Sequence, residues 1–295
     1  MSPAAASITV VLVTYNSRHI LPAALAPLAG LPHVIVVDNG SSDGSAALAR
    51  ELLPQALVIE PHANLGFGRA NNLALERVST AFALLLNPDC VLQPGALDAL
   101  LAATRRYPEA AIWGPKIYDA PGLLGLCYRP PYYAPQPRTL IDPEGDVCTE
   151  FLTGAAMLLN LRVMREVGFF DPWFFLYFED DDLCLRARRA GHPLLLVNEA
   201  HVLHRVRQSS APSWRLSYRR SLCMTLSKFY IQRKYFGAAR SNLTMLRIGL
   251  GSLLALPLQA LGFNRERMTR GAGRLVAALI APWRLRADRC LPPLR

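Results

Sequence analysis

Four consecutive acids, Glu179, Asp180, Asp181 and Asp182, lie inside the aromatic stretch FFDPWFFLYFEDDD. Like charges at that density repel one another, and apolar surroundings raise carboxylate pKa values. Such a cluster suits a metal or a general base. The plainer alternative is a solvated first turn of a helix, since acids favour helix N-termini. The following LCLRARRAG has a helical composition, so Asp180 can be the base while Asp182 caps the helix. Asp89 ends an apolar run in LLNPDC, where a carboxylate can hold a divalent cation that bridges two phosphates. It can equally be a turn residue after Pro88. His204 closes PLLLVNEAHVLH, with Ser209 and Ser210 just beyond. It is either a structural histidine or a ligand completing an oxygen-based site. Asp38 closes HVIVVD before the turn cluster NGSSDGS. There it can accept hydrogen bonds from a base or ribose, or cap the next helix, a role open also to Ser41 or Asp43. Gly154 and Ala155, in FLTGAAMLL, leave room for close backbone approach, or form a small-residue strand under a helix.

The elements that must position these residues follow one rhythm. ITVVLVT (8–14), HVIVVD, LVIE (57–60) and AFALLLNPD read as strands, the first two as continuous apolar runs that suit burial on both faces. Polar turns follow each, and helical patterns follow the turns around Leu21–Leu28, ALARELL and NLGFGRANNLALERV. This predicts an α/β fold with a doubly wound, mostly parallel sheet. Ligands in such sheets sit at the carboxyl ends of the strands. Residues 121–146 carry many Pro and Gly and read as a long excursion.

The chain has 295 residues, 52% hydrophobic and 18% charged, which allows a large core and excludes global disorder. MSPAAASITVVLVTYNS has no basic leader and predicts a first core strand rather than a signal peptide. Six cysteines at wide spacing, with no CxxC pair, indicate neither a zinc site nor a disulfide framework. Charge is uneven. Residues 1–200 hold 14 Lys/Arg against 20 Asp/Glu, and residues 201–295 hold 18 against 2. The basic end wants an anionic partner, nucleic acid or a membrane surface. Residues 248–264 are uncharged but broken by Pro257, and together with LVAALIAPW (275–283) they read as interfacial amphipathic helices. A helical subdomain that buries these residues itself is the alternative. A nucleic-acid binder would not need four clustered acids in its front half, which argues for no nucleic-acid partner.

The ordered series VVLVTYNS, VVDNGSSDGS, NLGFGRANN, LLNPDC, FLTGAAMLL, FFLYFEDDDLCLRARRAG and NEAHVLHRVRQSS resembles family 2 glycosyltransferases, nearest to a bacterial rhamnosyltransferase-like subgroup. The resemblance covers residues 8 to about 235 and implies a GT-A fold. It implies a glycosyltransferase domain over 1–235, with a nucleotide-sugar half (about 1–120) and an acceptor half (about 121–235), ahead of a basic helical tail at 236–295. By that likeness Thr14, Tyr15 and Asn16 line the base pocket and Asp38 contacts the nucleoside. Asn64, Gly66 and Arg69 form the donor-side loop, with Gly154 near the donor sugar. Asn87, Pro88 and Asp89 stand where the family has Asp-x-Asp, so Asp89 is the main carboxylate ligand of Mg²⁺ or Mn²⁺, Asn87 is a lesser donor-side contact, and His204 completes the site. Asp180 matches the catalytic base, with Glu179 and Asp182 in support. The implied reaction is an inverting transfer from a nucleotide-diphosphate sugar, for instance dTDP-rhamnose, to a hydroxyl of a glycan or lipid-linked glycan. The implied setting is the cytoplasmic face of a bacterial inner membrane. The alternatives are transfer onto a polyprenyl phosphate, a nucleotidyltransferase (whose Gly-rich, Lys-containing N-terminal loop VVLVTYNSRHI lacks), or a non-catalytic sugar-nucleotide-binding module.

Overall fold

The computed structural model describes residues 7–204, 213–261 and 265–285. Ser209 and Ser210 lie outside them. The described residues form two compact units, one of residues 7–171 with 180–204, the other of 172–179 with 213–261 and 265–285.

The first unit opens with β1 (Ile8–Thr14), α1 (Leu21–Leu25), β2 (Val34–Asp38), α2 (Ser45–Leu52), β3 (Leu57–Ile59), α3 (Phe67–Leu75) and β4 (Phe82–Leu86). β5 (Cys90–Leu92), α4 (Ala96–Arg106), β6 (Ile112–Ala120), β7 (Leu123–Leu124), β8 (Tyr128–Arg129), β9 (Val147–Thr149) and β10 (Phe151–Leu152) follow. β11 (Ala156–Asn160), α5 (Leu161–Val167), α6 (Glu179–Arg189) and β12 (Leu194–His204) complete it. The main sheet runs β3-β2-β1-β4-β11-β6-β12-β5. β1 pairs in parallel with β2 and β4, and β2 with β3. All five residues of β2 are buried, as the apolar run requires when helices cover both faces. Burying each such Val, Ile or Leu stabilises the fold by about 1.5–3 kcal/mol.

The strand-helix rhythm predicts the parallel half and misses one reversal. β11 runs antiparallel between β4 and β6, which restores β6 and its parallel neighbour β12 to the direction of β1. The excursion 121–146 is not featureless, since it carries β7 against β6 and β8 against β10. Lys116 anchors it by donating to the Pro143 carbonyl and pairing with Asp142.

In the second unit, α7 (Trp214–Leu261) breaks at Gly237 (φ 83°), and α8 (Arg265–Arg284) packs back on it. Glycine permits the close approach, because a Cβ on Gly273 would stand 2.8 Å from the Tyr218 carbonyl. Trp173 stacks on Tyr230 at 3.8 Å, and Ser227 donates to the Leu176 carbonyl, so the aromatic segment before the acids packs on α7.

Candidate active site

Of the expected site residues, Thr14, Asp38 and His204 close strands of the sheet, Tyr15, Asn16, Asn64, Gly66, Asn87, Asp89 and Gly154 lie in loops, and Arg69, Asp180 and Asp182 lie in α3 and α6. Thr14 and Asp38 are register partners closing β1 and β2. Thr14 is fully buried and its Oγ1 has no hydrogen-bond partner among the described residues. Asp38 accepts from the Ser41 amide at 2.7 Å, so it shapes the turn and does not cap α2. Asp43 takes the capping work, accepting from the backbone and hydroxyl of Ser45 and from the Arg18 amide. Asn16 (φ 51°) accepts from the Ser42 amide, and Tyr15 is 40% exposed above the sheet.

The donor-side loop is held by a residue that sequence reasoning passed over. Buried Asn39 donates to Asn64 Oδ1 and the Gly66 carbonyl and accepts from the Leu65 amide. Its signal was its place beside Asp38 at a strand end. Gly40 (φ 84°) lies so close that an added Cβ would be 2.9 Å from the Ala63 carbonyl carbon. Gly66 (φ 87°) opens α3, which carries Arg69; burial lowers that guanidinium's pKa.

The cation side is built around a turn. The Asn87 carbonyl accepts from the Cys90 amide at 3.0 Å, closing a four-residue turn with Asp89 at its third position. β12 pairs antiparallel with β5, which sets His204 opposite Cys90. His204 Nε2 lies 3.5 Å from Asp89 Oδ1, and its Nδ1 meets Asp119 Oδ1 at 3.3 Å. Asp89, then Asp119, hold the imidazole pKa above its ordinary range, against the opposing effect of burial. Asp89 Oδ1 is buried and accepts no hydrogen bond among the described residues. Ligand atoms of Asp89, Cys90 and His204 lie within 4.8 Å of one another. A divalent ion with bonds of about 2.0–2.2 Å can touch both Asp89 and His204 across that gap. The Asp89 carboxylate suits Mg²⁺ or Mn²⁺, the His204 imidazole beside it is better matched to the transition ion Mn²⁺, and the buried Cys90 thiol suits neither. The residues therefore fit such an ion. Asp119 was missed although it ends a strand, the signal that drew attention to Asp38 and Asp89.

The acids are differentiated by their partners. Asp182 is fully buried and paired to Arg186, which also donates to the carbonyls of Val167, Gly168 and Phe169. That carboxylate staples α6 to the end of α5. Asp181 takes both oxygens to Arg129 (2.8 and 2.7 Å), whose guanidinium lies 3.7 Å from the Phe151 ring centre. No periodicity in 121–146 pointed to Arg129. Burial, then the Asp180 charge, push the Asp181 pKa up to about 7. Asp180 is only partly buried, accepts from the Gly154 and Asp181 amides, and is also raised, chiefly by burial. Glu179 is buried at the start of α6, directly after Tyr177 and Phe178, both with left-handed backbone (φ 70° and 67°). Two adjacent non-glycine residues in that region store strain, which collects at functional sites.

Gly154 and Ala155 join the two sides. The Gly154 amide donates to Asp180, and the next carbonyl, of Ala155, accepts from the Asn87 amide at 2.8 Å. A Cβ on Gly154 would lie 3.2 Å from Phe67, at the start of α3. Asp180, the Asn87–Asp89 turn and the start of α3 thus converge on one small-residue link.

The family model Glycosyl transferase family 2 matches residues 9–168, more than half of the chain. The protein belongs to this family. A second model, Glycosyl transferase family group 2, matches residues 145–281 of this glycosyltransferase. It is 30% identical over 230 residues to an N-acetylglucosaminyl-diphospho-decaprenol L-rhamnosyltransferase of Mycobacterium tuberculosis, covering 66% of this chain and 75% of that one. It is 32% identical over 191 residues to rhamnosyltransferase WbbL of Escherichia coli, covering 57% and 71%. A mannosyltransferase of Pyrobaculum calidifontis, solved with GDP-Man and Mn²⁺, shares its fold with a TM-score of 0.56, over 94% of this chain and 87% of that one, at 16% identity. The glycosyltransferase accordingly has a GT-A fold with a helical C-terminal region, and its chemistry is glycosyl transfer.

Proposed function

We propose that this glycosyltransferase moves a deoxyhexose, rhamnose from dTDP-rhamnose being the first candidate, onto a hydroxyl of a lipid-linked glycan with inversion. The observation that carries the reading is the Gly154–Ala155 link, which ties Asp180 to the Asn87–Asp89 turn: the Gly154 amide donates to the Asp180 carboxylate and the Ala155 carbonyl accepts from the Asn87 amide. In this reading the acceptor oxygen attacks the anomeric carbon from the face opposite the leaving group. The new C–O bond forms as the bond to the diphosphate oxygen breaks, and the nucleotide diphosphate leaves with the electron pair. Asp180 takes the acceptor proton; burial raises its pKa, which makes it a stronger base than a solvated carboxylate. Asp89 and His204 would hold Mg²⁺ or Mn²⁺, which supplies charge stabilisation to the departing diphosphate. Thr14 Oγ1 and Asp38 face the nucleoside in this reading, and the loop pinned by Asn39 carries the donor phosphates and sugar. The names of the mycobacterial and Escherichia coli relatives support rhamnose, and the mycobacterial name supports a lipid-linked acceptor.

The same reading places the second unit on an anionic membrane surface at the cytoplasmic face. Leu250, Leu254, Leu279 and Trp283 are each more than half exposed. Leu246, Leu250, Leu253, Leu275 and Leu279 line an apolar groove of about 610 Å³ between α7 and α8. Among the described residues no helix is long and apolar enough to cross a membrane, so contact would be interfacial.

The test is a donor screen: binding and slow hydrolysis of dTDP-, UDP- and GDP-sugars with Mn²⁺, with Mg²⁺ and with EDTA. Metal-dependent turnover of dTDP-rhamnose is the expected result. Turnover that EDTA leaves intact would remove the metal, and preference for a UDP- or GDP-sugar would remove rhamnose.

A further inference from the structure

We infer that Asp119 is a positioning residue that turns His204 Nε2 toward Asp89; the inference rests on the metal reading above. The ring has two nitrogens, and each faces a different carboxylate: Nδ1 meets Asp119 at 3.3 Å, and Nε2 points across 3.5 Å to Asp89. A ligating histidine needs its other N–H held by an acceptor, which fixes both the tautomer and the ring plane. Asp119 is in place to be that acceptor, because it needs only the Nδ1 proton and leaves the Nε2 lone pair for the ion.

Two features of the fold put Asp119 there. β12 follows β6 in register from Leu194↔Ile112 to Val197↔Pro115, then resumes at His201↔Lys116 after three extra residues. The resumed register runs to Leu203↔Tyr118, so the next pair is His204 with Asp119, side by side on parallel strands. Unbulged pairing would have set His204 against Gly122, the residue three further on. The bulge is held in shape, with the Asn198 amide donating to Asp146 and the His201 ring bonded to the Asn198 carbonyl. Bulges of this kind re-aim side chains beside active sites. On the other flank, Gly125 returns to the sheet by donating to the Ile117 carbonyl. A Cβ there would stand 2.6 Å from Asp119 Oδ1, the oxygen that meets His204. The absent side chain keeps the carboxylate in its position.

Three full-length variants test this by Mn²⁺ binding, read from the electron paramagnetic resonance signal of free Mn²⁺, with melting temperatures as the control for folding. Asp119→Ala should raise the Mn²⁺ dissociation constant by about 10–100-fold. Asp119→Asn keeps an acceptor for the Nδ1 proton and should recover most of the loss. Gly125→Ala keeps the carboxylate but displaces it, and should weaken binding in the same direction. Long-range ¹H–¹⁵N spectra of the metal-loaded wild type should show His204 protonated on Nδ1. Wild-type affinity in a folded Asp119→Ala variant, or a proton on Nε2 in the loaded protein, would overturn the role of Asp119 alone. A wild type that binds no Mn²⁺ would overturn it together with the metal reading.

Discussion

Three adjacent aspartates of one helix turn meet three environments, and the environments assign them different work. Asp182 is spent on Arg186 and Asp181 on Arg129, which leaves Asp180 as the carboxylate with an open edge. Asp180→Asn should lower kcat by about 10²–10⁴-fold while leaving nucleotide-sugar affinity within a few-fold, measured by steady-state rates and calorimetry. An unaffected kcat would move the base to Glu179. The pH profile should be displaced as well. Burial first, and the Asp180 charge second, hold Asp181 at about 7, while burial alone holds Asp180 above the ordinary carboxylate range against its amide partners and Arg129. A base acts only when deprotonated, so the acid limb of kcat should lie at higher pH than the range near 4 where a solvated carboxylate titrates. The linked effect on stability has the opposite sense. Folding favours the protonated form of Asp181, so its contribution is fully present below about 4 and is lost as pH rises through about 7. Arg129→Met keeps contact with Phe151 but leaves Asp181 buried without its cation. It should cost about 3–5 kcal/mol of stability, seen as a lower Tm, and shift the acid limb of the rate profile to higher pH.

At the scale of elements, the site depends on loops that touch one another. The NGSSDGS turn after β2 and the NLGFG turn before α3 meet through Asn39 and through the bare backbone of Gly40. Gly40→Ala adds a Cβ 2.9 Å from backbone, at a φ of 84° that costs an L-residue about 1–2 kcal/mol. The donor loop should shift, so nucleotide affinity should drop at least tenfold while far-UV circular dichroism is unchanged; unchanged affinity would show that the loop does not carry the donor. The parallel strands were readable because a strand covered on both faces must be apolar throughout, as β2 is. The reversal at β11 was not readable. AMLLN has the same composition as the parallel strands, and its direction is set by the path of residues 121–155 across the sheet.

For the whole molecule, the decisive quantity is where the charge lies. The 18 Lys/Arg against 2 Asp/Glu in residues 201–295 coincide with the exposed leucines and Trp283 of α7 and α8. The full-length protein should sediment with anionic phospholipid vesicles at low salt, bind neutral vesicles far more weakly, and release in about 1 M salt, where the screening length is about 3 Å. Trp283→Ala should weaken the salt-resistant part of binding. Failure to sediment with anionic vesicles at low salt would return these helices to a purely structural role.

The sequence by itself determined the strand ends and the chemistry that must stand on them. A parallel strand needs a continuous apolar run, so its end is marked wherever a polar residue interrupts, and Asp38 and Asp89 were legible for that reason, whereas His204 stood out by residue type near the end of the last strand. It also determined the family, because the order of the motifs is specific where each motif alone is not. Only the tertiary structure decided how the functional groups divide their labour. Which of three neighbouring aspartates is spent on an arginine depends on Arg129 and Arg186, which approach from β8 and from the next turn of α6. Which acid stands beside His204 depends on a three-residue bulge, and register between strands distant in sequence is a property of their pairing, absent from either strand alone.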